Sequence, residues 1–469
     1  MIFNSLVFAL FFPIVFVGHW VVRGVGARRL WLLAASYVFY GWWDWRLLGL
    51  IAGASAVAHV AALHVEKGGP NRTVGLVAAI GLLLGVLGVF KYYGFFLESL
   101  APVLAGLGVA PDALLVKIVL PVGISFYVFQ AISYVVDVYR GVVRAERSPL
   151  ITALYVAFFP QLIAGPIVRA SHMLPQLRRR RRLSGRMVGL GVRLFLLGFV
   201  YKVALADNLA PFADPVFAAP ETYDRLSILW ATVAFHGQIY FDFAGYSTMA
   251  VGLALLLGYR VPRNFRHPYG AASPSEFWKR WHVTLSRWFR DYLYIPLGGN
   301  RAGVGRVSLN LMLTMALAGL WHGAAWTFVL WGVAHGAALI VQRLLRRVSK
   351  GPLGWPLLLA GFCLTQAFVL ASWTAFRAES WDDLVIVWEV LLGLREGGPQ
   401  SLPPLAAFLV LPVVADHVAG AVSRRRHRRK AAPARKPPVV VYWVAVGVIL
   451  GVTLMVHPLT SQPFIYFQF

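Results

Sequence analysis

Leu317–Leu339 reads LAGLWHGAAWTFVLWGVAHGAAL and contains no lysine, arginine, aspartate or glutamate. Two histidines, His322 and His335, are its titratable groups. At a rise of ~1.5 Å per residue, a helix of this length crosses a hydrocarbon layer of ~30 Å. Lipid offers the backbone no hydrogen bonds, so such a segment crosses as a helix that satisfies its own. The apolar run extends over roughly 307–342 and ends at Arg343. A membrane-spanning α-helix is the predicted form; unbroken, it would put His322 ~30 Å from Arg343, and tilt or a break would bring it toward the middle. The rest of the chain repeats the apolar pattern, and several runs are too long or too interrupted for one straight pass.

Of 469 residues, 59% are hydrophobic and 13% are charged, with a mean hydropathy of +0.67. That leaves too little polar surface for the about three soluble domains that length alone suggests. The expected fold class is all-α, a polytopic membrane bundle. The net charge of +25 raises the question of nucleic acid. Its basic residues fall in short clusters between apolar segments, the pattern of cytoplasmic loops facing anionic lipids, so no nucleic-acid partner is expected. The single Cys363 excludes an intrachain disulfide and a cysteine-rich zinc site. It reads as a small buried hydrophobe.

Apolar segments that cross or nearly cross a bilayer fall at roughly 2–22, 30–64, 73–98, 113–138, 149–168, 186–206, 227–258, 307–342, 354–376, 401–421 and 438–458, for about ten to thirteen spans. At the N-terminus Arg23, Arg28 and Arg29 follow the first apolar stretch instead of preceding it. This predicts a retained first span with its N-terminus outside, not a cleaved signal peptide. The clusters Arg178–Arg182, Arg343–Lys350 and Arg424–Lys436 are expected in the cytoplasm. A single span, 438–458, then separates the last cluster from the terminal FIYFQF, Phe464–Phe469, which places Tyr466 on the outer side.

The stretch Ser273–Gly299, SPSEFWKRWHVTLSRWFRDYLYIPLGG, differs from the rest. Ser273 with Glu276 forms a capping box and Pro274 takes the first helical position. Phe277, Trp281, Leu285, Trp288 and Tyr292 make one apolar stripe, with Lys279, Arg280, Arg287 and Arg290 elsewhere around the wheel. The plain reading is a continuous amphipathic helix lying in the cytoplasmic interface on anionic lipid. The functional reading adds that the same cations hold the phosphates of a nucleotide-bearing donor.

Polar groups at membrane depth are costly and carry a functional hypothesis. His322 lies between Gly319 and Gly323, a small-xxx-small spacing that admits close backbone approach. Its plain reading is a histidine satisfied by a neighbouring carbonyl, and His335 is the weaker candidate. His282 lies on the capped helix near the edge of its apolar face, where an interfacial histidine is the plain reading. In FHGQIYFDFAGYSTMA, Phe235–Ala250, the residues Gln238, Tyr240, Asp242, Tyr246 and Ser247 interrupt an apolar segment. Burying Asp242 requires a partner such as an arginine, or a water-filled cavity. The sequence has no HExxH, GxSxG or P-loop, so the signatures of zinc protease, serine hydrolase and ATPase chemistry are absent.

The runs SEFWKRWHVTLSRWFRDYLYIPLGGNR (Ser275–Arg301) and GLWHGAAWTFVLWGVAHG (Gly319–Gly336) closely resemble the membrane-bound O-acyltransferases, in particular their alginate O-acetylase branch. FPQLIAGPIVR (Phe159–Arg169), QIYFDFAGYSTMA, FRAES (Phe376–Ser380) and FIYFQF extend the resemblance over most of the chain. The resemblance implies a helical bundle with re-entrant and interfacial amphipathic helices. It implies one domain over 1–469, with a catalytic core at about 113–345 and C-terminal helices and tail at about 354–469. It also implies an inner-membrane enzyme that uses acetyl-CoA, with no bound cofactor or metal, to O-acetylate an exported polysaccharide such as alginate.

By position, His322 matches the family's catalytic histidine and His282 the second polar residue of the pair. Asp242, Gln238, Tyr240, Trp321, Arg280 and Arg287 are supporting or substrate-channel candidates. An acetyl thioester is already activated, so a general base and a donor route suffice, and a histidine with an unperturbed pKa near ~6.5 can be that base. The donor is cytoplasmic and the sugar acceptor outside. The tail resembles a motif that hands an acyl group to a periplasmic transferase, which makes Tyr466 the candidate relay; an aromatic interface anchor is its plain reading. A transporter or lipid flippase also places histidines and an aspartate inside a bundle, but its mark would be an inverted repeat, and none is evident.

Overall fold

The structure is a computed structural model that describes residues 1–108, 110, 116, 118–301, 303–348, 354–403, 411–428, 447–448, 451, 453, 455 and 464–465. Tyr466 and most of the expected span 438–458 lie outside the described residues. The chain forms two compact units, one of Met1–Phe195 with Met249–Pro262 and the other of Leu196–Thr248 with Arg263–Phe469.

The helices of the first unit are α1 (Leu6–Val21), α2 (Val25–Gly41), α3 (Leu48–Lys67), α4 (Arg72–Leu87), α5 (Tyr93–Gly106), α6 (Ile124–Tyr139), α7 (Pro149–Ala157), α8 (Phe159–Leu162), α9 (Ala170–Arg178) and most of α10 (Gly185–Phe199). The expected apolar segment 30–64 is thus two helices, because Asp44 leaves the helical region and caps a short turn through the amide of Arg46. Ser5 and Ser148 cap α1 and α7 through the amides of Phe8 and Ile151. Helix α6 is buried over nearly its whole length and packs against α3 and α4.

The second unit continues with α11 (Asp207–Ala218), most of α12 (Arg225–Leu256), α13 (Pro274–Trp278), α14 (Val283–Phe289), α15 (Val304–His322), α16 (Trp326–Val348), α17 (Trp355–Arg377), α18 (Trp381–Leu392) and α19 (Leu411–Arg428). Helix α12 carries apolar residues on every side with buried polar groups among them, and 94% of its most apolar window is buried. Among the described residues, seven helical stretches are long and apolar enough to cross a membrane, and three shorter apolar helices accompany them. This is a multi-pass membrane protein. Cys363, expected in the core, instead lies exposed on α17; on a spanning helix the outward face is as apolar a setting as the interior.

Glycine shapes the hairpin of α15 and α16. A methyl group on Gly319 would collide with the carbonyl oxygen of Phe328 and lie 3.1 Å from the Cα of Gly332, while one on Gly332 would collide with the carbonyl of Met315. The two backbones touch, an approach that side-chain-bearing residues forbid. The long apolar segment 307–342 therefore folds back on itself at His322–Ala325, bringing its basic end, Arg343–Arg347, beside the start of α15 instead of carrying it a full span away. Gly319→Ala is expected to destabilise the protein by ~1–3 kcal/mol through overpacking, whereas Gly305→Ala, where an added methyl meets nothing within 4 Å, stays neutral. Thermal unfolding in detergent by fluorescence-detected size exclusion distinguishes the two.

Candidate active site

His322 is the last residue of α15, and extended Gly323 stops the helix there. Its imidazole is 2% exposed. The rings of Trp321, Trp331 and Phe376 lie 5.0, 5.1 and 5.3 Å from it, centroid to centroid. Behind them the fully buried Trp331, Trp373 and Trp281 pack in series, at 5.8 and 4.9 Å. These large, rigid side chains hold the histidine in a dry, fixed setting.

The second histidine arrives by a break, not by a helix face. The Ser273 cap is present, its hydroxyl accepting from the amide of Glu276, while the Glu276 carboxylate reaches one residue past the cap and accepts from the amide of Ala272. The expected continuous helix nevertheless stops after Trp278 and restarts at Val283. Between them His282 takes φ 36 and ψ 57, the left-handed region, which costs an L-residue about 1–2 kcal/mol. Asn264 meets the needs of the break: its carbonyl accepts from the Val283 amide at 2.9 Å and its side-chain oxygen from the Thr284 hydroxyl at 2.6 Å. The result turns the imidazole fully inward, 4.6 Å from Phe243, 5.8 Å from Trp321 and 6.4 Å from His322 between ring centroids. One carbonyl or hydroxyl between the two imidazoles is within reach of both. Burial lowers the pKa of His282 to about 3, so its ring is neutral at physiological pH, with one N–H to donate.

A cavity of about 620 Å³ reaches Leu285 and Ser286 on α14 and Met315 and Ala318 on α15. Lys279, Arg290, Arg343, Arg346 and Arg347 are among the residues that line it, together with the apolar Leu285, Phe289, Met315 and Ala318. Ala318 is one turn before His322 on the same face of α15. Asn300 steadies the rim, its side-chain oxygen accepting from Arg343 and from Tyr294, both at 2.8 Å. Cations around an apolar throat match a polyphosphate with a long thioester arm.

The remaining candidates scatter. Trp321 belongs to the histidine pocket. Arg280 is tied to Glu276 and to the His267 carbonyl, Arg287 is exposed on α14, and neither is among the residues lining the cavity. Tyr240 donates to Asp416 at 2.8 Å, in a cluster completed by Tyr201 and by His267 at 3.0 Å; it pins α19 to α12. Gln238 is buried one turn before Asp242. His335 pairs with the Ser372 hydroxyl at 3.2 Å. Asp242 meets a lysine in place of the anticipated arginine, with Lys202 Nζ at 2.8 Å. Sequence reasoning passed over Lys202 and Asp207, although they are isolated charges in the apolar run between Arg193 and Asp214, the signal that drew attention to Asp242.

Residues 143–353 match the sequence profile of the membrane-bound O-acyltransferase family. The chain is 41% identical over 415 residues, 86% of its length and 80% of the relative's, to a probable alginate O-acetylase of Azotobacter vinelandii. The corresponding protein of Pseudomonas aeruginosa is 41% identical over 416 residues, 86% of this chain and 77% of that one. A peptidoglycan O-acetyltransferase of Helicobacter pylori is 35% identical over 429 residues, 84% of this chain and 80% of that one.

The depressed pKa of His282 has a stability consequence of definite sign. Between pH about 3, where the folded imidazole titrates, and ~6.5, where the unfolded one does, the unfolded chain binds more protons. Acidification below ~6.5 therefore destabilises the fold through this residue, by ~2 kcal/mol at pH 5. Melting curves from pH 7.5 to 5 should fall less steeply for His282→Gln than for the wild type.

Proposed function

The chain belongs to the membrane-bound O-acyltransferase family, and from that premise we propose that it takes acetyl from cytoplasmic acetyl-CoA and passes it across a bacterial inner membrane for O-acetylation of an exported polysaccharide. The observation that carries the reading is the cavity with a basic rim that runs to within one turn of His322. Lys279, Arg290 and Arg343 would take the phosphates, while Leu285, Phe289 and Ala318 would take the pantetheine arm. The relatives named for O-acetylation of alginate and of peptidoglycan support an acetyl donor and a polymeric acceptor, with alginate or a similar exopolysaccharide the nearer fit.

His322 takes the proton of the incoming hydroxyl as its oxygen attacks the thioester carbonyl. The tetrahedral species collapses with loss of the CoA thiolate, which recovers that proton. Neutral His282 presents its N–H to the developing oxyanion, a role that a buried and fixed donor fills well. The first hydroxyl is that of Tyr466. A phenol is acidic enough for a histidine to activate, and an aryl ester is a better acyl donor than a sugar ester, so acetyl-tyrosine can pass its group on to a periplasmic acetyltransferase. Phe464 supports the tail's part in this: its ring lies 5.9 Å from Phe243, whose ring touches His282. Both chain termini are then periplasmic, and the basic loops lie against anionic lipid in the cytoplasm.

With labelled acetyl-CoA, His322→Ala is expected to lower kcat/KM by ~10²–10⁴, His282→Ala by less, and wild-type turnover in His322→Ala would overturn the assignment of the base. Arg343→Ala with Arg346→Ala is expected to raise KM for acetyl-CoA about tenfold, ~1.4 kcal/mol, with kcat nearly unchanged. Cysteine-accessibility labelling should find Arg424–Lys436 reachable from the cytoplasm and Phe469 reachable from outside.

A further inference from the structure

Lys202, Asp207 and Asp242 are buried together, 2%, 1% and 2% exposed. The ammonium of Lys202 lies 2.7 Å from Asp207 Oδ1 and 2.8 Å from Asp242 Oδ1. Lys202 with Asp207 alone would be a neutral pair. Asp242 adds a formal surplus of one negative charge, which a buried site accommodates only with further donors. One such donor is the backbone N–H of Ile465, from which Asp242 Oδ2 accepts at 2.6 Å, across 223 residues of sequence.

The apolar part of the same contact is built on α12. Phe464 and Ile465 are 1% and 2% exposed. The Phe464 ring packs 4.9 Å from that of Tyr246, one turn beyond Asp242, and 5.9 Å from Phe243. Side-chain packing alone would bury these two residues on any apolar helix. An aspartate held by a lysine adds what packing lacks, a directional, charge-assisted hydrogen bond that fixes the register of the backbone.

We propose that Lys202, Asp207 and Asp242 form an anionic socket that captures the backbone of the C-terminal segment at Ile465 and thereby sets the position of the next residue, Tyr466, for acyl transfer. The functional half of this statement rests on the tyrosine relay proposed above; the docking half does not. Asp242 is on this account a positioning residue, acting through the tail and not on the acetyl group.

The test uses the full chain in detergent micelles, with hydrogen-exchange mass spectrometry and acetyl-CoA kinetics on two variants. Asp242→Asn removes the surplus charge and keeps the shape. Ile465→Pro removes the N–H and leaves the socket intact, so the proposal remains testable if the first variant folds poorly. Amides of the C-terminal peptide are expected to exchange at least about tenfold faster in both. Acetylation of polymer in a reconstituted system should fall about tenfold through kcat, with KM for acetyl-CoA held within about twofold, a split that general loss of structure would not give. Exchange as slow as wild type in both variants would overturn the socket. Faster exchange, together with undiminished polymer acetylation by Tyr466→Phe, would support the socket and strike the relay instead.

Discussion

The contact of two backbones at Gly319 and Gly332 is the constraint from which the site follows. Because neither residue carries a side chain, α15 and α16 approach until the carbonyls of Phe328 and Met315 occupy the space that methyl groups would need. The hairpin this permits has its turn at His322–Ala325 and its basic end at Arg343–Arg347. One element therefore carries a buried histidine at its tip and cations at its open end. The cavity is lined by α14 and by both helices of that hairpin, from Arg343, Arg346 and Arg347 to Met315 and Ala318, so it brings the basic end of the hairpin and the turn of α15 next to His322 into one space.

A second local strain completes the centre. A helix continuous through His282 would have left that imidazole on its own helical face; the left-handed turn at this residue drives it inward against Phe243 and Trp321. Strained backbone of this sort persists only where the surroundings over-determine it, and Asn264 together with the packing of Phe277 and Trp281 does so here. The two histidines are consequently unequal. One closes a helix one turn beyond the cavity-lining Ala318, and the other is a deeply buried neutral ring whose charge state does not change over the physiological pH range.

Much of this was legible in the sequence because burial in lipid is a strong filter. Long uncharged runs marked the spans, the serine, proline and glutamate at 273–276 marked a helix start, and the glycines around His322 marked a close backbone approach, though not the turn of a hairpin. The positions of His322 and Asp242 were read for the same reason, as polar groups at membrane depth. What stayed hidden depended on partners distant in the chain. Nothing in the periodicity around His282 signals a left-handed residue, since Phe277, Trp281, Leu285 and Trp288 fit an unbroken helix and are all buried in the broken one. Phosphate-holding cations were sought at Lys279, Arg280, Arg287 and Arg290, on the segment with the obvious stripe; Lys279 and Arg290 line the cavity and the other two do not. Arg280 is instead engaged by Glu276, and the cavity draws Arg343, Arg346 and Arg347 from a helix that returns from elsewhere. The lysine that accommodates Asp242 comes from a π-helical stretch, Val200–Ala206, which changes the helical register just where Lys202 must face inward.

The account stands on acetyl reaching the tail by way of His322. The direct measurement is intact and tandem mass spectrometry of purified protein after incubation with acetyl-CoA in the absence of any acceptor polymer. The account predicts one acetyl group, localised to Tyr466 and missing from His322→Ala protein. Wild-type protein that carries no acetyl on Tyr466 in this incubation, although the same preparation acetylates polymer once polymer is supplied, would contradict it.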